Sequence, residues 1–160
     1  MSITCRKVDF EKEEEAQDFL RLLQEYATDP MGGGEALPAS SIDNLVTEFK
    51  KREILNAYIA YVDGTAAGVC TTIDSFSTFA CKPLINVHDC GVSPAYRRQG
   101  VAKELLAFIV SAARANGMCK VTLEVLEGNL PAKRCYKGLG FEPYVLDDAM
   151  GGAEFWSLKL

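Results

Sequence analysis

Hydrophobic positions along the chain change period several times, and each change marks an element. Ile3 to Val8 reads as a short strand. Ala16, Phe19, Leu20, Leu23 and Ala27 then recur at helical spacing, and Asp29-Pro30 stops that helix because a residue before proline is driven out of the α region. Met31 to Gly34 follows as a flexible glycine-rich loop. Ser40 or Ser41 can cap a second helix, in which Ile42, Leu45, Val46 and Phe49 form one apolar stripe that stops near Glu53.

Leu55, Ala57, Ile59 and Tyr61 alternate with their neighbours, Asp63-Gly64 suits a two-residue turn, and the apolar run resumes through Ile73, which predicts a β-hairpin. A further strand covers Leu84 to Val92, closed by Pro94. From Gly100, the positions Val101, Leu105, Phe108, Ile109 and Ala112 predict an amphipathic helix that ends at Asn116-Gly117. Val121, Leu123 and Val125 alternate as a strand. Asn129, Leu130 and Pro131 open a short helix that Gly140 terminates, and Phe141 to Leu146 and Ala153 to Leu160 read as two last strands.

No repeat or linker interrupts this order, so residues 1–160 are expected to form a single domain. A hairpin run followed by strand–helix crossovers predicts the α/β class, an α+β mixed central sheet with helices on both faces. Ligands of such sheets sit at strand carboxyl ends, beside helix N-termini.

Composition narrows the function. The 160 residues, 48% apolar and 24% charged, suit a soluble globular protein that needs no staple. A net charge of −5 argues against nonspecific nucleic-acid or anionic-membrane binding. The N-terminus mixes Arg6, Lys7 and Asp9 with apolar residues, unlike a secretory signal, and no apolar run is long enough for a membrane span. A cytoplasmic protein is therefore expected, with its six cysteines as reduced thiols. His88 is the sole histidine and no Cys-x-x-Cys pair occurs, so no metal requirement is expected.

The segment richest in chemistry is Val92-Ser93-Pro94-Ala95-Tyr96-Arg97-Arg98-Gln99-Gly100-Val101-Ala102, a strand end, a turn and a helix start in succession. Unpartnered N–H groups and the helix dipole favour an anion there, Gly100 lets backbone approach closely, and small Ala102 blocks nothing. Arg97 and Arg98 add positive charge, although paired arginines are often just a solvated turn. Dinucleotide and P-loop patterns are absent.

This segment resembles the acyl-CoA-binding motif of the GNAT (Gcn5-related N-acetyltransferase) superfamily, Gln/Arg-x-x-Gly-x-Gly/Ala, which Arg97, Gly100 and Ala102 satisfy. A second block, Asn129, Ala132, Tyr136 and Gly140-Phe141, resembles that family's downstream motif. The resemblance implies a GNAT-like acyl-CoA N-acyltransferase fold. It also implies transfer of an acetyl group from acetyl-CoA to a primary amine by direct attack. By the same resemblance Arg97, Arg98, Gln99, Gly100, Val101 and Ala102 would cradle the CoA diphosphate. Val92 would pair with the pantetheine arm through its backbone, Asn129 would contact that arm, and Tyr136 would be the general acid. One departure is Gly91, where many relatives carry a larger apolar residue; it is compatible with a bulge and would widen the acyl pocket.

A thioester and an amine need alignment, oxyanion stabilisation, a free-base amine and a proton for the thiolate. The Tyr136 phenol can supply that proton; read without the motif it is an ordinary aromatic on a helix face. By the resemblance, some relatives place a base or amine-binding residue on the strand leading to Val92, which makes His88 and Asp89 the candidates for orienting or deprotonating the amine. Each reads equally well as a sheet residue. Strand alternation allows one of the two to face the amine. A covalent route through Cys90 or Cys135 is the weaker reading, because no Cys–His–Asp arrangement is evident.

The resemblance also implies that the loop from Asp29 to Pro38, between the first two helices, covers the acceptor, with Asp29 or Glu35 available to a cation; Phe76, Phe79 and Tyr144 either wall the pocket or fill the core. Small metabolite, antibiotic, peptide N-terminus and protein lysine all remain open as acceptors. Exchange of the final strands would give a route to a homodimer. The competing function is a noncatalytic acyl-CoA-binding or regulatory module.

Overall fold

A computed structural model describes residues 1–160, which divide into two compact units, Met1–Leu123 and Glu124–Leu160. The first holds strand β1 (Ile3–Lys7), helices α1 (Glu13–Thr28) and α2 (Ala39–Lys51), strands β2 (Leu55–Val62), β3 (Thr65–Ser77) and β4 (Lys82–Val92), helix α3 (Val101–Ala115) and strand β5 (Val121–Leu123). The sheet runs β1-β2-β3-β4-β5, antiparallel throughout except for the parallel β4–β5 pair. It is the mixed sheet expected.

Both faces of this sheet are covered, which explains why β2 is buried almost continuously instead of alternately. Ala57, Ile59 and Tyr61 face Phe19, Leu22 and Leu23 of α1, with Leu45 and Phe49 of α2 at the edge of the cluster. Tyr58, on the opposite face, meets Phe108 of α3 at 6.2 Å between ring centroids. The β2–β3 turn is the expected two-residue one, and Asp63 and Gly64 both take positive φ (47° and 85°) to make it.

α2 starts differently from the reading above. Pro38 occupies the N-cap, and neither Ser40 nor Ser41 caps; both lie in the first turn, with the Ser41 N–H donating to the Pro38 carbonyl. A proline there pre-sets the entry angle, so no hydroxyl cap is required to start the helix.

The second unit contains α4 (Leu130–Gly138), which has Asn129 at its N-cap and Gly140 in a left-handed conformation just beyond its end. The two strands expected from Phe141 to Leu146 and from Ala153 to Leu160 do not form; one antiparallel bridge, Val145 to Gly152, is all the pairing there, and Val125 lies outside β5. Alternating apolar residues favour extended backbone, but a strand also needs a neighbour for its ladder. Phe155, Trp156 and Leu158 are accordingly exposed.

Candidate active site

Between β4 and α3 the chain makes a single 3-10 turn (Pro94–Tyr96) and then a tight corner. Arg98 and Gly100 there adopt left-handed φ of 63° and 88°. Left-handed residues set between right-handed ones turn successive N–H groups toward one point, making a concave anion nest. No acceptor within the chain takes the backbone N–H of Arg98, Gln99, Gly100, Val101, Ala102 or Lys103; the α3 ladder starts with Glu104 donating to Gly100. A Cβ on Gly100 would meet nothing within 4 Å, so the glycine answers to its φ and not to crowding.

Arg97 departs from its expected place. Its own N–H reaches the Pro94 carbonyl, Nε donates to the Val92 carbonyl at 3.0 Å, and Nη2 pairs with Asp29 Oδ2 at 2.7 Å. Its guanidinium thus ties the corner to the end of α1, and the nest begins one residue later, at Arg98. Asp29, expected to be available to a cation, is taken by this pair. The Met31 N–H and the Arg97 guanidinium hold its carboxyl below the usual range against the opposing effect of burial. Gln99 turns back to the Ala95 carbonyl.

The parallel β4–β5 ladder ends at Val87 with Leu123, so from His88 to Val92 the strand is paired to β3 alone. The Ser93 N–H donates to Ala67, which makes Gly68 and Val92 a non-hydrogen-bonded pair whose main-chain groups point away from β3. The Val92 N–H therefore faces an open sheet edge, as does that of Cys90 two residues earlier. Such an edge can pair with a linear amide chain.

Beside that edge lies a cavity of about 400 Å³, lined by residues of α1, α2, the loop between them, β2, β3 and β4. Both His88 and Asp89 line it, contrary to the expectation of one. The reason is a bulge in β4: Thr71 pairs with Asp89 while Thr72 pairs with Val87, leaving His88 as the extra residue. Alternation inverts there, so Asp89 and Gly91 share the face that Asn86 occupies below the bulge. Gly91 itself is regularly paired with Val69 and is not the bulge. Thr71 Oγ1 donates to Asp89 Oδ2 at 2.5 Å and accepts the Asp89 N–H at 3.1 Å, which fixes the carboxylate.

Gly91 does not widen the pocket, because Tyr26 fills the space. A Cβ on Gly91 would lie 2.8 Å from Tyr26 Cβ and 2.9 Å from Cγ and Cδ2. Burial, and then the nearby Asp89 carboxylate, push the Tyr26 phenol up, so it stays a neutral donor at neutral pH. The loop after α1 is held, not flexible: the N–H groups of Gly32, Gly33 and Gly34 all donate to the Asp29 carbonyl. Phe76 and Phe79 are exposed and do not line this cavity, Glu35 is exposed outside it, and Tyr144 of the second unit is exposed too. Cys90 projects to the opposite face of β4, against Cys70, whose thiol is pushed well up by hydrogen bonding to Cys90 and by burial.

In the second unit Asn129 Oδ1 accepts the Ala132 N–H at 3.2 Å, so that oxygen serves as the helix cap. The Tyr136 ring packs near Phe141, centroids 6.0 Å apart.

The model of the acetyltransferase (GNAT) family matches residues 16–141. This chain belongs to the GNAT family. Among curated relatives of this GNAT chain, the [ribosomal protein bS18]-alanine N-acetyltransferase of Haemophilus ducreyi (strain 35000HP / ATCC 700724) is 33% identical over 75 residues, covering 44% of the chain and 52% of that protein. Streptothricin acetyltransferase of Streptomyces lavendulae is 32% identical over 88 residues, covering 55% of the chain and 44% of that protein. The matched region thus spans about half the length of these relatives. Among solved structures, the aminoglycoside acetyltransferase AAC(6')-Iy with a bisubstrate analogue superimposes with a TM-score of 0.75 at 18% identity over 100% of both chains. A probable acetyltransferase does so with a TM-score of 0.78 at 22% identity over 100% of this chain and 98% of that one.

Sequence reasoning missed Tyr26, Thr71 and the Arg97–Asp29 pair. Tyr26 was findable, since Gly91 in an otherwise bulky strand signals a close neighbour, though not which one.

Proposed function

We propose that this chain is an acyl-CoA-dependent N-acetyltransferase whose residues 1–160 act as one catalytic domain on a primary amine, in the cytoplasm. The observation that carries the reading is the run of acceptor-free amides from Arg98 to Lys103, directly beside an unpaired strand edge that leads into a cavity with an anchored carboxylate.

The donor groups fit CoA: the nest and the start of α3 suit a diphosphate, Ala102 leaves the approach open, and Arg98 makes no ion pair within the chain that would compete. The Val92 N–H, on the open edge, suits a pantetheine carbonyl. Acetyl-CoA would supply the activated acyl group. Asp89, pinned by Thr71, orients an ammonium and takes up its proton through water, with His88 beside it as the alternative base. The Cys90 N–H on the same edge offers a donor to the thioester carbonyl oxygen as it gains charge. Tyr136 is the proposed acid for the thiolate, supported by its family motif, and Asn129 is the proposed contact to the pantetheine arm. No metal has a part in the scheme. The acetyltransferases of ribosomal-protein alanine, streptothricin and aminoglycosides among the relatives and neighbours support an amine acceptor.

Free-thiol release from acetyl-CoA across an amine panel, beside a thermal shift on adding CoA, tests this. Amine-dependent release is expected, and Tyr136→Phe should lower turnover at least tenfold with CoA affinity unchanged. Stabilisation by CoA without release on any amine would leave only a binding module.

A further inference from the structure

We infer that the cavity takes a primary monoamine carried on an apolar stem, in preference to a polyamine or an amino sugar; the reading above matters only for what happens to the amine once bound. The walls are largely hydrocarbon, from Leu23 of α1, Leu37 of the loop, Leu45 and Phe49 of α2 and Ile73 of β3, with Ser41, Thr72 and His88 adding polar groups between them. Against them stands one carboxylate among the lining residues, Asp89. Thr71 holds its Oδ2, and Oδ1 accepts no hydrogen bond within the chain, which leaves a single directed acceptor for a single ammonium.

Three carboxylates on the adjoining elements have partners elsewhere, although Glu25 Oε2 is buried without one. Asp29 pairs with Arg97, Glu25 with Arg21, and Asp74 accepts from the Asn56 amide. A second or third ammonium on the same ligand would find no further carboxylate in the lining, and the hydroxyls of an amino sugar would have only a few polar groups, such as Ser41 and Thr72, to replace the water they lose. At about 400 Å³ the cavity is also near the small end of ligand pockets, which run from roughly 300 to 1,000 Å³. An alkyl or arylalkyl amine suits the greater part of this lining: its stem replaces water on the apolar residues while its head reaches Asp89.

Calorimetric titration of the full chain without any acyl donor reads the cavity alone. Hexylamine and 2-phenylethylamine should bind at least tenfold more tightly than spermidine or kanamycin, and Asp89→Asn should weaken them about tenfold. Phe49→Asp or Leu45→Asp, which adds a second carboxylate, should shift preference toward spermidine; either serves if the other does not fold. Kanamycin or spermidine binding as tightly as the apolar amines, no measurable amine binding, or an Asp89→Asn variant that binds unchanged would overturn the inference. Thiol release with acetyl-CoA separates the two claims: the expected preference without release defeats the transfer reading alone, and release with kanamycin favoured defeats this one alone.

Discussion

Gly91 and Tyr26 make the packing of this site directly testable. Gly91→Ala places a methyl group 2.8–2.9 Å from three Tyr26 carbons, where ordinary contact starts at 3.4 Å. One of the three is the Tyr26 Cβ, which cannot rotate away, so relief requires α1 to move off the sheet. Overpacking of that kind costs about 1–3 kcal/mol. Because the obstacle includes a near-backbone atom, about 2 kcal/mol is expected, which for a chain of this size lowers Tm by roughly 4–8 °C. Thermal and urea unfolding followed by circular dichroism would measure it. Tyr26→Ala removes most of the obstacle, so the double variant should be less damaged than the sum of the singles, with a coupling of at least about 1 kcal/mol. A Gly91→Ala protein that melts within 1 °C of the parent, by this roughly 2–4 °C per kcal/mol scale, would show that Tyr26 does not occupy that space.

Asp29→Asn and Arg97→Gln, combined in a double-variant cycle, should give a coupling of about 0.5–1 kcal/mol, reduced because Arg97 is 46% exposed; additive effects would mean the pair holds nothing. Ala102→Glu sets a negative, bulkier side chain at the nest and should raise the KM for acetyl-CoA at least tenfold with little change in Tm; an unchanged KM would move the diphosphate elsewhere. Glu15 is buried; burial alone would raise its pKa, but the Asp9 N–H, Lys12 and Arg6 outweigh it and hold the carboxyl below its ordinary 4.5. A folded-state pKa below the unfolded one adds stability above that value and loses it as pH falls through the lowered one. The parent should therefore lose stability between about pH 5 and 3 more steeply than Glu15→Gln, and parallel curves in urea titrations would contradict the assignment.

Much of this was legible in the chain. Periodicity placed α1, α3 and the β2–β3 hairpin because local pattern and tertiary burial agree there, and the Arg97-to-Ala102 motif marked the corner whose N–H groups lack acceptors because its geometry is local. What sequence could not show depends on partners far along the chain. Arg97 looks like a phosphate ligand until Asp29, 68 residues away, is seen to hold it. The three glycines after Met31 look mobile until one carbonyl gathers their N–H groups. Alternation allowed either His88 or Asp89 into the cavity, since an extra residue in one strand is invisible without its neighbour's register. The final apolar segments were legible as extended chain but not as unpaired.

The bulge at His88 makes the register of β4 as consequential as its composition. Were β4 to run regularly with all its residues kept, His88 would stand opposite Thr71 and the Asp89 carboxylate would roll over to the side where Tyr58 packs on α3, a charge in an oily layer. Excising His88 instead leaves Val87 and Asp89 opposite Thr72 and Thr71 as they are now. A chain lacking His88 should thus keep Asp89 on its present face, paired with Thr71.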